Sequence, residues 1–383
     1  MKTTAHRLES VQEYYFSRKL REVGQLIQAG HPVINMGIGS PDLAPHPEVI
    51  RALEKAMNHP KAHMYQSYQG LPELREAIAT FYKKYYQVEV NPDSEVIPLM
   101  GSKEGIMHLS LAFLNPGDEV LIPNPGYPTY ESVTRLVEAT PVFYDLKESN
   151  QWQPDFEALE ALDTSRVKIM WLNYPNMPTG TPADTKTFDR LIHYARERDI
   201  VLINDNPYSF VLTQTPQSIL SRPGAMDVTM ELNSLSKSFN MAGWRVGMLC
   251  GKAAFIQAVL KVKSNMDSGM FYGIQQGAIA ALKMTPDWFE DLNLIYQKRR
   301  DLVEILALKL GTVTDPKSVG LFVWAKLPDT APSAEDFIDK ILYEKYIFIT
   351  PGSIFGSNGA RYIRFSLCVT EATISEAIKR LES

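Results

Sequence analysis

Between residues 234 and 247 the chain reads SLSKSFNMAGWRVG, its most reactive arrangement of side chains. Lys237 follows Ser234 and Ser236, and Arg245 comes eight residues later. A lysine met in isolation is ordinarily a solvated surface residue. Here two hydroxyls, a glycine-containing turn and a guanidinium can converge on an anion and leave the amine to attack a carbonyl. Lysine does so once it is desolvated or placed beside another cation. An aldehyde carrying a phosphate would engage all of these groups at once.

Other segments supply matching chemistry. Gly101-Ser102-Lys103-Glu104 follows a strand-like run and opens a helix, where exposed backbone N–H groups bind anions. By itself it also reads as an ordinary strand-to-helix turn. The loop Pro123-Asn124-Pro125-Gly126-Tyr127-Pro128-Thr129-Tyr130 offers flat aromatic faces, although Pro/Gly-rich surface loops often do. Asp205 ends the apolar run 200–204, at a strand's C-terminal end where a carboxylate faces a crevice or caps the next element. Arg361-Tyr362-Ile363-Arg364 places two guanidiniums near the C-terminus, and a guanidinium can clamp a carboxylate through two parallel hydrogen bonds.

Taken in order, these segments resemble the class I/II aminotransferases, fold type I enzymes of pyridoxal 5′-phosphate (PLP). The likeness runs from about Asn35 to Arg364. It implies that Lys237 carries PLP covalently and that Ser102, Lys103, Ser234 and Arg245 hold its phosphate, with Ser236 beside them. It implies Tyr127 over the ring, Asp205 on the ring nitrogen, which must stay protonated for the ring to act as an electron sink, and Tyr208 on the ring O3′. Arg364, rather than Arg361, and Gly39 would bind the substrate α-carboxylate. Tyr65, in Tyr65-Gln66-Ser67-Tyr68-Gln69-Gly70, would reach the phosphate of a neighbouring copy, which implies a homodimer with shared sites. The implied activity is ping-pong transfer of an amino group from an amino acid to a 2-oxo acid. The segments at 101–106, 125–128 and 263–269 are similar to the branch containing LL-diaminopimelate aminotransferases. Aspartate, alanine and aromatic substrates stay open, because specificity lies in site details and not in the fold.

One position departs from the pattern. The family run Asn-x-Pro-x-Asn-Pro-Thr-Gly stands here as Asn173-Tyr174-Pro175-Asn176-Met177-Pro178-Thr179-Gly180. The second asparagine donates to the cofactor O3′; Met177 cannot donate. Tyr208 then acts alone, or Asn173 or Asn176 moves in, and with one donor missing the bound cofactor holds its proton to higher pH. Two other classes share the scaffold: a PLP lyase (C–S lyase or decarboxylase) and a non-enzymatic PLP-binding regulator. The regulator would need a DNA-binding module, and only about 35 residues precede the first motif.

The elements that must position these residues are legible as short apolar runs alternating with helical patterns. Strands are predicted at 96–100, 119–123, 141–144, 166–172, 200–204, 228–232 and 245–250, with helices at 101–114 and 183–198 among them. Such alternation predicts an α/β fold, a mostly parallel central sheet flanked by helices. After about residue 285 the pattern changes. A long amphipathic helix over 287–310 ends at Gly311. A strand at 319–325, a helix at 333–345, a strand at 346–350, a Pro-Gly turn at 351–352, a strand at 361–367 and a helix at 370–382 follow. The reading is a large PLP-binding domain over 43–285 and a smaller α+β domain from 1–42 and 286–383. Within the smaller domain a helix is expected at about 8–29.

Composition excludes several classes. Among 383 residues, 45% are hydrophobic and 22% charged, which disfavours disorder as the main state. Lys and Arg number 39 against 44 Asp and Glu, a net charge of −5, so no global basic field exists for nucleic acid or anionic membrane. No run approaches the roughly 20 apolar residues of a membrane span. Two cysteines, Cys250 and Cys368, make no disulfide framework and no metal-site spacing. The N-terminus is too charged for a signal peptide, so a cytoplasmic location is expected. His59 and His63 are separated by Pro60, which argues against a helical metal pair, and no metal is expected.

Overall fold

The computed structural model describes residues 4–10, 15–182 and 184–382. In chain order the strands are β1 (Ile34–Asn35), β2 (Val96–Leu99), β3 (Glu119–Asn124), β4 (Thr140–Asp145), β5 (Val167–Leu172), β6 (Val201–Asp205), β7 (Thr229–Ser234), β8 (Gly247–Gly251), β9 (Val313–Thr314), β10 (Phe322–Lys326), β11 (Ile347–Phe348), β12 (Thr350–Pro351) and β13 (Tyr362–Ser366). The helices are α1 (Tyr15–Gln28), α2 (Pro47–Met57), α3 (Pro72–Tyr86), α4 (Ser102–Phe113), α5 (Pro128–Leu136), α6 (Phe156–Glu160), α7 (Thr185–Glu197), α8 (Ala225–Val228), α9 (Leu235–Ser238), α10 (Ala253–Lys263), α11 (Tyr272–Leu282), α12 (Pro286–Lys309), α13 (Ala334–Lys345) and α14 (Glu371–Glu382).

Seven strands form the central sheet in the order β2-β8-β7-β6-β5-β3-β4. β8 runs antiparallel to both neighbours and the other pairings are parallel. Strands buried on both faces need apolar residues at every position. β5 supplies them: Ile169 and Trp171 join the core on one face, Met170 and Leu172 the core on the other. Leu202 and Ile203 of β6 divide in the same way. The mostly parallel sheet between helices agrees with the α/β expectation.

Parallel strands have one functional edge. The C-terminal ends of β2, β3, β5, β6 and β7 share it, because β8 pairs Gly247 with both Leu99 and Ser234. The residues just beyond those ends are therefore neighbours. They are Gly101 and Ser102, Tyr127, Asn173, Asp205 and Ser234.

A second sheet, β12-β13-β10-β9, is antiparallel, and β1 pairs in parallel with β11. Between β1 and α2 an extended strap, residues 36–42, crosses to the functional edge. Met36 N–H donates to Phe348 O at 2.9 Å, and Ser366 N–H donates to Met36 O at 2.8 Å. Arg299 of α12, 2% exposed, fixes the far end through Asp42 at 2.6 and 2.9 Å. α1 is held on α13 by buried Lys19, whose ammonium lies 2.6 Å from Asp339 and 2.9 Å from Glu22.

Several boundaries differ from expectation for local reasons. The run 319–325 yields a strand only from Phe322. Gly320 has φ +85, and the N–H groups of Val319 and Gly320 donate to Gly180 and Val211 instead of a ladder. The run 346–350 splits, because left-handed Tyr346 (φ 53) ends α13 before β11 begins. The segment 8–29 gives a 3-10 turn at His6–Ser10 and α1 from Tyr15; residues 11–14, and 183 of the expected 183–198 helix, lie outside the described residues.

Candidate active site

A cavity of about 340 Å³ opens where the functional edge meets the strap and β13. Eleven of the twelve site residues expected from the sequence line it: Gly39, Ser102, Lys103, Tyr127, Asp205, Tyr208, Ser234, Ser236, Lys237, Arg245 and Arg364. Tyr65 does not. It is 90% exposed on the outer surface.

One end is built to hold an anion. α4 begins at Ser102 behind Gly101, whose φ of +90 a side chain would strain. An added Cβ at Gly101 would overlap the Arg245 guanidinium, so this glycine admits Arg245 to the helix N-terminus. Gly247 likewise leaves space beside the Ser102 N–H. The hydroxyls of Ser234 and Ser236 lie 2.8 Å apart at the end of β7, and the Ser234 hydroxyl also accepts from Ser236 N–H at 3.1 Å. Two hydroxyls, a helix N-terminus, a lysine and an arginine make the donor set of a phosphate site.

The middle is aromatic and acidic. Asp205 ends β6 and is 5% exposed. Its Oδ2 accepts from Tyr130 Oη at 3.0 Å, whereas its buried Oδ1 has no protein partner. Burial pushes its pKa up to about 7, against the Tyr130 hydrogen bond and the Lys237 charge, which lower it; buried Glu231 adds to the rise. A buried carboxylate oxygen without a donor fits a ring N–H placed opposite it. Tyr130 itself stacks on Trp171, with centroids 4.8 Å apart and planes within 6°, and meets Tyr127 edge-on. Tyr208 follows three residues after Asp205, and burial raises its phenol well above the usual value.

Lys237 lies on the short helix α9, half-buried, and its ammonium donates to Gly39 O of the strap. Desolvation lowers its pKa; Arg364 and Arg245 push the same way, and Cys368 and Asp205 oppose them. An amine so depressed is closer to the neutral, nucleophilic form.

The other end is apolar around one cation. Arg364 of β13 is 4% exposed. Its Nη2 donates to Gly37 O at 2.8 Å and its Nη1 to Met177 Sδ at 3.3 Å. Its guanidinium carbon lies 3.9 Å from the Phe322 ring centroid and 4.7 Å from that of Phe355. Arg361 points elsewhere, donating to Ala331 O and Pro328 O. Of the two asparagines of the Met177 loop, Asn173 lines the cavity and Asn176 does not. Asn173 donates to Asp205 O at 2.6 Å and accepts from Met177 N–H, and Asn176 turns back to Thr179.

Sequence reasoning gave no role to Tyr130, Leu20, Ile38, Phe322 or Phe355, all of which line the cavity. Tyr130 stood in the quoted aromatic loop, which was the available signal. The others meet only through tertiary packing. The donor set, the partnerless Asp205 oxygen and the glycine cradle together fit PLP.

Comparison with known proteins agrees with this geometry. Residues 31–381 match the family described as aminotransferase class I and II. The chain is 38% identical over 379 residues to an LL-diaminopimelate aminotransferase of Aquifex aeolicus, covering 98% of each. It is 40% identical over 378 residues to one of Dehalococcoides mccartyi, covering 98% of this chain and 97% of that one. Among solved structures, substrate-bound BacF from Bacillus subtilis superposes with a TM-score of 0.95 at 37% identity, over 100% of this chain and 98% of that one. An aspartate aminotransferase mutant of Thermus thermophilus superposes with a TM-score of 0.92 at 26% identity, over 99% of both.

Proposed function

The chain belongs to the class I and II aminotransferase family, and from that premise we propose how its own residues serve a PLP-dependent amino-group transfer. The enzyme takes an amino acid and a 2-oxo acid as small-molecule substrates. PLP supplies an aldehyde that links to amines and a pyridinium ring that delocalises negative charge.

Lys237 Nζ would hold the aldehyde and would serve as the base for the proton at the substrate Cα. Asp205 Oδ1 would accept from the ring N–H and keep that nitrogen protonated. Tyr208 would donate to the ring O3′, and Tyr127 would restrain the ring by stacking. Ser102, Lys103, Ser234, Ser236 and Arg245 bind the phosphate. Arg364 and the backbone at Gly39 bind the substrate α-carboxylate. The observation that carries this assignment is the pair formed by Lys237 and the partnerless Asp205 oxygen in one cavity.

The finer readings belong with it. The chain acts as a homodimer in which Tyr65 reaches the neighbouring phosphate; its exposure beside Met64, itself 63% exposed, supports this. Residues 43–285 form the large PLP-binding domain, and 1–42 with 286–383 the small one. Buried Cys250 and Cys368, neither in a disulfide, support a cytoplasmic location. Among the described residues no helix is long and apolar enough to cross a membrane. The LL-diaminopimelate of the relatives' names sets the reference donor. The relatives' names also disfavour a lyase or a regulator.

Borohydride reduction of the PLP-loaded protein followed by peptide mapping is expected to label Lys237. Lys237→Ala is expected to lower turnover by at least about 1000-fold. Label elsewhere, or a variant with wild-type rate, refutes the assignment.

A further inference from the structure

The cavity walls fall into two chemically distinct sets, and the second has no use in holding the cofactor. The polar set, already described, gathers at the α4 N-terminus and around Asp205. The remaining walls include Leu20 of α1, Ile38 of the strap, Met177, Phe322 and Phe355, the last three against Arg364. Among the described residues, five charged ones line the cavity: Lys103, Asp205, Lys237, Arg245 and Arg364. Lys103 and Arg245 sit at the anion end, Asp205 is tied to Tyr130, and Lys237 is the residue that would carry the cofactor. That leaves Arg364 as the charge of the apolar end.

From this distribution we propose that the amino donor carries an uncharged apolar side chain, aromatic or large aliphatic, lying against Leu20, Ile38, Phe322 and Phe355. The inference rests on the aminotransferase reading of the same pocket and names its substrate class. Once a donor's α-carboxylate pairs with Arg364, a second carboxylate or ammonium at the end of its side chain meets hydrocarbon, with no counterion among the described residues of this wall. An unpaired charge in such surroundings is strongly disfavoured, whereas an apolar group gains from leaving water. Met177 adds to the bias. Its thioether lies against the guanidinium and presents no donor to a polar side chain. In the proposed dimer the residues flanking Tyr65, Met64 on one side and Gln66 to Tyr68 on the other, are uncharged as well. A diamino dicarboxylate, the donor in the relatives' names, carries a second charged pair at its far end and finds no partner on these walls.

The test is a half-reaction without acceptor. PLP-loaded enzyme is mixed separately with L-phenylalanine, L-leucine, L-methionine, L-aspartate, L-glutamate and LL-2,6-diaminopimelate, and loss of the visible cofactor band is followed. At least one apolar donor is expected to convert the cofactor with a second-order rate constant tenfold or more above every charged donor. A charged donor that equals or exceeds the apolar ones overturns the proposal while leaving the aminotransferase reading intact. No conversion by any donor overturns that reading, and this proposal with it. Ile38→Arg, at a position already 39% exposed, places a cation at the apolar end. It is expected to shift the aspartate-to-phenylalanine ratio at least tenfold toward aspartate, and an unchanged ratio overturns the assignment of that wall.

Discussion

Asp205 shows what a buried carboxylate costs the fold. An unfolded aspartate titrates near 3.9, and the folded one is pushed up to about 7. Between those values the folded chain binds more protons than the unfolded chain. Its contribution is therefore fully present below about pH 4 and is lost as pH rises through 7, by on the order of 4 kcal/mol at most. Asp205→Asn keeps an acceptor for Tyr130 and removes the ionisation. Without cofactor, the variant is expected to melt above wild type at pH 8, the gap narrowing toward pH 4; a lower melting temperature at pH 8 refutes the account. Met177 gives a second expectation. With an asparagine there, an amide donor returns beside the cofactor phenolate, so Met177→Asn is expected to move the visible-band pH transition of the loaded protein to lower pH. An unmoved transition refutes a role for this position in tuning the cofactor.

The anion end depends on how α4 starts. Gly101 must hold φ +90 and leave room for the Arg245 side chain. Gly101→Ala is expected to raise the dissociation constant for PLP at least about tenfold, through strain and displacement of Arg245, as read by absorbance titration. Wild-type affinity would show that Arg245 is dispensable there. Most of this local design was legible in the sequence. The Gly-Ser-Lys turn after an apolar run, the aspartate ending β6 and the lysine between serines are each set by neighbours in the chain, and all line the cavity. What stayed hidden is non-local. The Tyr130–Asp205 hydrogen bond spans 75 residues. The Phe322–Arg364–Phe355 sandwich joins three segments whose apolar side chains read simply as core. Strand limits at 322 and 347 escaped because glycine and tyrosine residues in left-handed conformation interrupt runs that look continuous in composition.

At the scale of the whole molecule, exposed Tyr65, Met64 and Tyr68 form an apolar surface, and Gly269 packs closely on Gln66 and Ser67 beneath it. Sedimentation is expected to give twice the 43.2 kDa chain mass. Tyr65→Phe is expected to keep that mass while weakening PLP retention severalfold; a fully active monomer overturns the shared-site reading. The strap has a consequence of its own. Its ends are fastened by Arg299 and by backbone pairing, but its middle is latched by Arg364 on Gly37 O and Lys237 on Gly39 O. A lysine joined to PLP as proposed would have fewer N–H groups to offer Gly39 O, so the hold on the middle of the strap would pass largely to Arg364.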